Sequence, residues 1–394
     1  MIVANIDLMD GKAVQLQQGK TKVLERDNVL ELAKYYARFG EIAVIDLDCA
    51  LNTGKNNEDL IKKICKIAPA RVGGGIRTIE KAKRALSWGA KKIIIGTAAS
   101  EDFLSKLPKE RVLVAIDSRD GKITTKGWQE ETEFSTLDYV KRFENYCSGF
   151  LFTVVEREGM LQGADIDFIK EIASNTALPV TAAGGIATIE EIVELQKNNI
   201  NSQLGMAIYT GKISLEEAFL ACLEFIKIND KELIPTIVQD KVTSQVITFK
   251  YSSKETLIKT LKEGICYYDS YGSNGKAVYT QELINATFDC DRNALLFTVK
   301  QKGNACSLNK FSCFHDKDFT FEELFELIED RKEKMPLNSY TVKLFKDEFL
   351  LKKRIMEKAF DTINFNEANG LNSEAAELLY HLFVFLAKNN VSLD

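Results

Sequence analysis

The chain has 394 residues, enough for about two or three domains, with 45% hydrophobic and 28% charged residues and a net charge of −5. This composition is ordinary for a globular protein and gives no basic footprint of the kind that binds nucleic acid. No apolar run approaches the roughly 18 residues that span a bilayer, and the N-terminus lacks a signal-peptide pattern, so we expect a cytoplasmic protein. Its eight cysteines are expected to be free thiols or metal ligands.

Short apolar runs alternate with amphipathic helical patterns through residues 1–226. The predicted strands are 2–7, 43–48, 70–74, 92–97, 112–117, 150–155, 179–184 and 202–207. Strands separated by helices predict a parallel sheet, and eight such units predict a closed (β/α)8 TIM barrel. An open doubly wound sheet is the alternative.

After the barrel region the pattern changes. Residues 232–251 predict strands with a turn at Thr243-Ser244, a helix is predicted over 253–263, and the sequence from 319 is nearly all helical. The predicted domains are an α/β barrel over 1–230, a small α+β domain over 231–317 and an all-α domain over 318–394.

The barrel region contains one pattern twice, 110 positions apart. The segment "NIDLMDGK" at 5–12 aligns with "AIDSRDGK" at 115–122, and Gly74-Gly75-Ile76 aligns with Gly184-Gly185-Ile186. Several matches in one register indicate an internal repeat. We therefore interpret residues 1–226 as two half-barrels of four units each, an even division that favours the barrel over the open sheet.

Asp7 and Asp117 are equivalent in the repeat, and each ends a predicted strand, the first and the fifth. Active sites of TIM barrels lie where strands end, so the two carboxylates are predicted to face each other across the barrel mouth. Such a pair suits general acid–base catalysis, with one group protonated and one ionised. The alternative is that each aspartate only caps its own loop.

Glycine-rich turns follow the third, fourth, seventh and eighth strands. Glycine lets backbone N–H groups approach an anion closely, and a helix N-terminus adds a favourable dipole. Two phosphate sites are predicted, which implies a small substrate with a phosphate at each end; the alternative is that the glycines only permit tight turns. The first site comprises Gly75, Arg77, Gly96 and Thr97, and the second Gly184, Gly185 and Gly205.

Residues 1–226 resemble the histidine-biosynthesis isomerase that acts on phosphoribosylformimino aminoimidazole carboxamide ribotide (ProFAR). The motifs are "IDLMDGKAVQLQQG", "VIDLDCALN", "VGGGIR", "IIIGTAA", "AIDSRDGK", "KGW" and "AAGGI". The resemblance implies an Amadori rearrangement without metal or organic cofactor, with Asp7 as the base and Asp117 as the acid. It also implies that Trp128 stacks on the substrate heterocycle.

Two positions depart from the family pattern. Thr153 is retained in the sixth strand, but Val154 follows it where many members have an aspartate. Gln15 stands where a basic residue is common. The first departure concerns the identity of the acid in the implied reaction.

Residues 233–316 resemble phosphoribosyl-AMP cyclohydrolase through "LIPTIVQD", "DCDRNALLFTV" and "ACSLNKFSCF". The resemblance implies a zinc ion bound across a subunit boundary by three cysteines and magnesium near two aspartates. The third magnesium position is Asn293, and the segment "WRKGETSGH" of the family is absent. The implied zinc ligands are Cys290, Cys306 and Cys313, and the implied magnesium ligands are Asp289 and Asp291.

Residues 319–394 resemble phosphoribosyl-ATP pyrophosphohydrolase, whose members bind magnesium between two helices. Here Lys358 stands among the acidic positions, so a solvated charged face of a dimerising bundle is the alternative to a metal site. The implied magnesium ligands are Glu357, Asp361, Glu374 and Glu377.

Three hypotheses follow from the sequence. The first is an isomerase whose degenerate C-terminal domains mainly hold a homodimer together. The second is a trifunctional enzyme that also carries the cyclohydrolase and pyrophosphohydrolase activities. The third is a non-catalytic scaffold that binds intermediates of the pathway. None of them involves nucleic acid or a membrane.

Overall fold

The computed structural model describes the chain except residues 18, 20, 120–121, 126–129, 229, 271–272, 307, 365–370 and 394. The chain forms two compact units. The first, called the barrel unit, comprises 1–86, 90–241 and 245–316. The second, called the helical unit, comprises 317–394 with the short segments 87–89 and 242–244.

Among the residues that the structure describes, the barrel unit begins with twelve strands. They are β1 (Ile2–Met9), β2 (Lys12–Gln17), β3 (Thr21–Arg26), β4 (Ile42–Asp46), β5 (Ala70–Gly73), β6 (Lys92–Ile95), β7 (Val112–Arg119), β8 (Lys122–Thr125), β9 (Glu130–Ser135), β10 (Phe150–Val154), β11 (Val180–Ala183) and β12 (Asn201–Leu204). Eight of them pair in parallel in the order β1-β4-β5-β6-β7-β10-β11-β12. The sheet closes because β12 pairs with β1, which confirms the predicted TIM barrel.

The internal repeat is visible in the strands that extend the barrel. β2 and β3 form an antiparallel extension after β1, and β8 and β9 form one after β7. Since β1 and β7 begin the two sequence repeats, both half-barrels carry the same extension at the same place.

In the described part of the barrel, ten α-helices accompany the strands. They are α1 (Val29–Ala37), α2 (Leu47–Leu51), α3 (Glu58–Ile67), α4 (Ile79–Ser87), α5 (Glu101–Leu104), α6 (Thr136–Phe143), α7 (Ile166–Ser174), α8 (Ile189–Lys197), α9 (Met206–Tyr209) and α10 (Leu215–Ala221). Three predicted strands, 43–48, 92–97 and 202–207, extend beyond the observed strands, which end at Asp46, Ile95 and Leu204. Asp46 ends its strand because its side chain accepts from Cys49 N–H and starts α2, and Gly205 likewise precedes α9.

A small sheet domain follows within the barrel unit. Its elements are β13 (Ile226–Ile228), β14 (Lys231–Asp240), β15 (Val246–Ser252), α11 (Lys254–Glu263), β16 (Ile265–Ser270), β17 (Ser273–Phe288) and β18 (Leu295–Gln301). β14 pairs with β15 on one side and in parallel with β18 on the other. Arg38 of the barrel donates to Leu261 O at 2.9 Å, and Asn285 of the sheet donates to Ala37 O at 2.7 Å. These contacts join the barrel and the sheet into one compact unit.

The helical unit contains α12 (Phe321–Lys334), α13 (Tyr340–Lys346), α14 (Glu348–Ile363) and α15 (Leu371–Lys388). Apolar side chains from all four helices form its core, which agrees with the predicted all-helical pattern. The fully buried members are Phe325, Ile328, Leu344, Leu351, Phe383, Val384 and Ala387. Among the described residues, no helix has the length and apolar character needed to cross a membrane.

Candidate active site

A cavity of about 290 Å³ opens at the carboxyl ends of the barrel strands. Its walls are part apolar, from side chains such as Ile94 and Leu151, and part polar. All the predicted barrel site residues lie on it except Trp128, which is outside the described residues. Those on the cavity are Asp7, Gly75, Arg77, Gly96, Thr97, Asp117, Thr153, Gly184, Gly185 and Gly205.

Asp7 lies near the end of β1 and faces the cavity. Its neighbour on the same side of the strand, Asn5, donates a hydrogen bond from Nδ2 to Asp7 Oδ1 at 2.9 Å. Burial raises the pKa of Asp7 to about 6, and the hydrogen bond from Asn5 opposes the increase. A carboxyl group with this pKa is largely ionised at neutral pH and still basic enough to accept a proton.

Asp117 occupies the equivalent place on β7 and lines the same cavity. In the pairing of β7 with β10, Asp117 is in register with Thr153. The structure therefore brings the two predicted carboxylates and the retained threonine to one pocket, as the repeat predicted.

Glu158 is a third carboxyl group on the cavity, and the sequence motifs did not single it out. It follows the short 3-10 turn Val155–Arg157 after β10. Burial, together with the smaller effect of the negative charges of Asp7 and Asp117, raises the pKa of Glu158 to about 7. At neutral pH a substantial fraction of Glu158 is therefore protonated and able to donate.

The repeat contained a signal for Glu158. The segment "VIDLD" at 44–48 aligns with "VVERE" at 154–158, so Glu158 is equivalent to Asp48. The two carboxylates have different surroundings: Asp48 Oδ2 accepts from Asp10 N–H at 2.7 Å, and its Oδ1 accepts from Thr53 Oγ1. Val154 is buried and carries no carboxylate, whereas Glu158 lines the cavity and its Oε2 lies 3.3 Å from the place that a Cβ of Gly184 would take.

The paired glycines adopt positive φ angles in both half-barrels. Gly74 and Gly184 have φ of 93° and 88°, and a Cβ would lie 2.3 Å from Asp46 O and 2.7 Å from Val154 O respectively. Only glycine fits such close backbone contacts at these angles. These turns therefore need glycine for the fold itself, whether or not they also bind an anion.

Gly96 differs from those turns. Its φ is not positive, and a Cβ there would meet only Ala115 Cβ at 3.8 Å, an ordinary contact. Local geometry therefore does not require glycine at this point of the cavity wall. A ligand that approaches this backbone closely would explain why a glycine stands at position 96.

Some charged and amide groups near the predicted phosphate sites already form hydrogen bonds within the protein. Arg77 donates to Cys49 O at 3.1 Å and to Ala50 O at 2.8 Å while it lines the cavity. At the second site Glu191 Oε2 accepts from the N–H groups of Ala187 and Thr188. A phosphate at the second site would therefore be held by other groups, those around Gly185 and Gly205.

The metal ligands implied for the small sheet are not gathered in a single chain. Among the described residues, no group of three His, Cys, Asp or Glu side chains is placed to hold a metal ion. Asp289 Oδ1 instead accepts from the N–H groups of Asn293 and Ala294 and closes a turn. Zinc bound across a subunit boundary by Cys290, Cys306 and Cys313 stays a prediction.

Comparison with known families fits the barrel and its cavity. The profile described as histidine biosynthesis protein matches residues 1–214, more than half of the chain. The chain belongs to this family. Two further profiles match the C-terminal part: phosphoribosyl-AMP cyclohydrolase over 248–315 and phosphoribosyl-ATP pyrophosphohydrolase over 321–394. The fusion predicted from the sequence motifs is thus confirmed.

Curated relatives of the histidine biosynthesis family match the barrel almost end to end. A protein of Methanocaldococcus jannaschii is 38% identical over 240 residues, covering 58% of this chain and 99% of its own length. One of Aquifex aeolicus is 40% identical over 229 residues, covering 55% of this chain and 96% of its own. Both are named 1-(5-phosphoribosyl)-5-((5-phosphoribosylamino)methylideneamino) imidazole-4-carboxamide isomerase, the ProFAR isomerase.

Proposed function

We propose that the barrel catalyses the isomerisation of ProFAR to its ribulosyl isomer in histidine biosynthesis. The observation that carries this is the meeting of Asp7, Asp117 and Glu158 in one cavity flanked by the two glycine-turn regions. The relatives that match the whole barrel carry the same activity in their names. An aldose–ketose isomerisation needs an acid and a base in one pocket, and these carboxyl groups supply both.

The reaction proceeds by proton transfers alone. An acid protonates the ring oxygen of the aminoaldose, and the ring opens to an iminium ion. A base then removes the proton from C2 to give an enolamine, which becomes the ketose as a proton is added at C1 and the C2 hydroxyl loses its proton. Asp7, with a pKa of about 6, is assigned the role of the base.

Two carboxyl groups compete for the role of the acid. Asp117 is the predicted acid on the ground of the repeat and the resemblance. Glu158 has a pKa of about 7 and therefore holds a proton at neutral pH more readily than an ordinary glutamate does. Separate replacement of the two groups distinguishes them.

The substrate is proposed to be anchored by a phosphate at each end. One phosphate lies by Gly75, Arg77, Gly96 and Thr97, and the other by Gly185 and Gly205. The support is that the two groups of residues line one cavity and belong to equivalent turns of the two half-barrels. In this arrangement the reacting sugar lies between the two phosphates, beside the carboxylates.

The C-terminal domains are proposed to act mainly as structural parts that hold a homodimer in the cytoplasm. Four large apolar side chains of α14 are exposed: Phe349, Met356, Phe360 and Ile363. Their separations of seven, four and three residues place them along one face of the helix. The trifunctional enzyme is the second candidate, favoured by the two hydrolase profiles.

The test is turnover of ProFAR by the purified chain and by Asp7→Asn, Asp117→Asn and Glu158→Gln. Loss of a positioned acid or base should lower kcat by about 100-fold or more. Asp10→Asn is the matched control, since Asp10 is exposed and pairs with Lys55. Turnover near the wild-type rate in all three variants would reject the proposal, and release of pyrophosphate from phosphoribosyl-ATP would favour the trifunctional enzyme.

A further inference from the structure

An ammonium group lies at the centre of the acidic cluster between α14 and α15. Lys358 Nζ is 2.9 Å from Glu374 Oε2 and 2.8 Å from Glu377 Oε2, and its side chain is only 17% exposed. Asp361 Oδ2, one turn along α14, lies 3.8 Å away. One ammonium group therefore lies close to three carboxylates, one from α14 and two from α15.

These three carboxylates are among the four that the pyrophosphohydrolase resemblance implies as magnesium ligands. Magnesium requires oxygen ligands at about 2.0–2.1 Å in near-octahedral geometry. Here the oxygens of Glu374 and Glu377 both contact the lysine nitrogen. The ammonium fills the space between them, and its positive charge repels a divalent cation.

The fourth implied ligand, Glu357, is directed to other cations. Its Oε2 accepts from Arg354 Nη1 at 3.0 Å, and its Oε1 lies 3.5 Å from Lys353 Nζ. Both partners precede it on α14. Within the described part of the helical unit, the implied ligand set is therefore divided between two groups of cations, and no group of three acidic side chains is placed to hold a metal ion.

The ammonium of Lys358 gives Glu374 and Glu377 a cationic partner without a metal. Hydrogen bonds to Glu377 and Glu374 raise the pKa of Lys358 above its usual value. The hydrogen bond from Lys358 in turn holds the pKa of Glu377 below its usual value. The two close contacts of the ammonium, one with each carboxylate of α15, therefore form without a metal.

We propose that Lys358 is the resident cation of the helical unit and takes the place of a divalent metal. The lysine ties α14 to α15, so this unit folds without metal and does not support metal-dependent hydrolysis. This inference is independent of the isomerase activity of the barrel, because it concerns a separate compact unit.

The experiment uses the full chain and Mn²⁺ as the probe. Electron paramagnetic resonance should detect no Mn²⁺ bound by the wild type at this cluster, so the signal should be the same for wild type and Glu377→Gln. Lys358→Gln removes the ammonium and keeps the carboxylates. That variant should bind Mn²⁺ at least tenfold more tightly than the wild type, and Mn²⁺ should raise its Tm.

Lys352→Gln is the matched control. Lys352 lies on the same helix, pairs with Glu348 at 2.7 Å and is exposed, so its removal should leave Mn²⁺ binding unchanged. Mn²⁺ binding by the wild type that Glu377→Gln abolishes would overturn the proposal. If Lys358→Gln does not fold, the comparison of Mn²⁺ binding by the wild type and by Glu377→Gln still tests the proposal. Lys358→Arg keeps a cation at this place and should fold without metal.

Discussion

Arg71 and Thr181 occupy equivalent positions in the two half-barrels, and they are bonded to each other. Arg71 Nη1 donates to Thr181 Oγ1 at 3.0 Å, and the residues are 4% and 1% exposed. Arg71 lies on β5 and Thr181 on β11, which are not neighbours in the sheet. The two copies have thus diverged at one position into a donor and an acceptor that join them inside the barrel.

Replacement of Arg71 with methionine should destabilise the barrel. Arg71 Nε also donates to Glu41 Oε2 at 2.6 Å, and the Glu41 side chain is 26% exposed, so the variant mainly leaves the buried hydroxyl of Thr181 without its partner. Loss of the partner of a buried polar group costs about 1–3 kcal/mol of unfolding free energy. Chemical denaturation measures this change.

Arg84→Met is the control for this prediction. Arg84 pairs with Glu58 at 2.6 Å, but its side chain is 54% exposed, and exposed pairs contribute about 1 kcal/mol or less. Equal losses in the two variants would show that the buried pair has no special role.

The pH dependence of kcat/KM should be bell-shaped if Asp7 is the base and Glu158 the acid. Activity should rise as Asp7 ionises at about pH 6 and fall as Glu158 loses its proton at about pH 7. Asn5→Ala removes the hydrogen bond that lowers the pKa of Asp7. The acidic limb should therefore move to higher pH in this variant, and a limb that stays in place while kcat falls would contradict the role given to Asn5.

Asp7→Asn should become more stable relative to the wild type as the pH rises. The folded-state pKa of Asp7 is raised from 3.8 to about 6. Its contribution to stability is therefore fully present below about pH 3.8 and is lost as the pH rises through about 6. The relative gain of the variant at neutral pH should be on the order of 1 kcal/mol, measured by denaturation at about pH 5 and pH 8. A difference in unfolding free energy between Asp7→Asn and the wild type that does not change with pH would refute the raised pKa of Asp7.

The barrel could be predicted from the sequence because its signals are periodic and local. Eight apolar runs and the repeated glycines were enough to predict the strand count and the positions of Asp7 and Asp117. The repeat aligns Glu158 with Asp48, but its importance was missed because it depends on burial beside two other carboxylates, which the alignment does not show. The hydrogen bond from Arg71 to Thr181 could not be predicted from the sequence either, since only closure of the barrel brings residues 110 positions apart into contact.

Gly96→Ala should weaken substrate binding without weakening the fold. The added Cβ meets no atom closer than 3.8 Å, so the Tm should stay within the error of measurement. If a phosphate lies against this backbone, the methyl group displaces it and disturbs a charged hydrogen bond that contributes about 1.5–3 kcal/mol. KM should rise roughly tenfold or more, whereas an unchanged KM would place the phosphate elsewhere.

The apolar face of α14 should be the contact between two copies of the chain. Phe349 and Ile363, at its two ends, are 81% and 82% exposed, and exposed clusters of this kind mark association surfaces. Phe349→Glu with Ile363→Glu should therefore convert a dimer into a monomer in analytical ultracentrifugation. Leu337→Glu is the control, because Leu337 is 94% exposed but lies between α12 and α13. The double variant should keep its isomerase turnover, since the reacting groups lie in the barrel. A wild type that sediments as a monomer, or a double variant that stays dimeric, would show that this face of α14 is not the dimer contact.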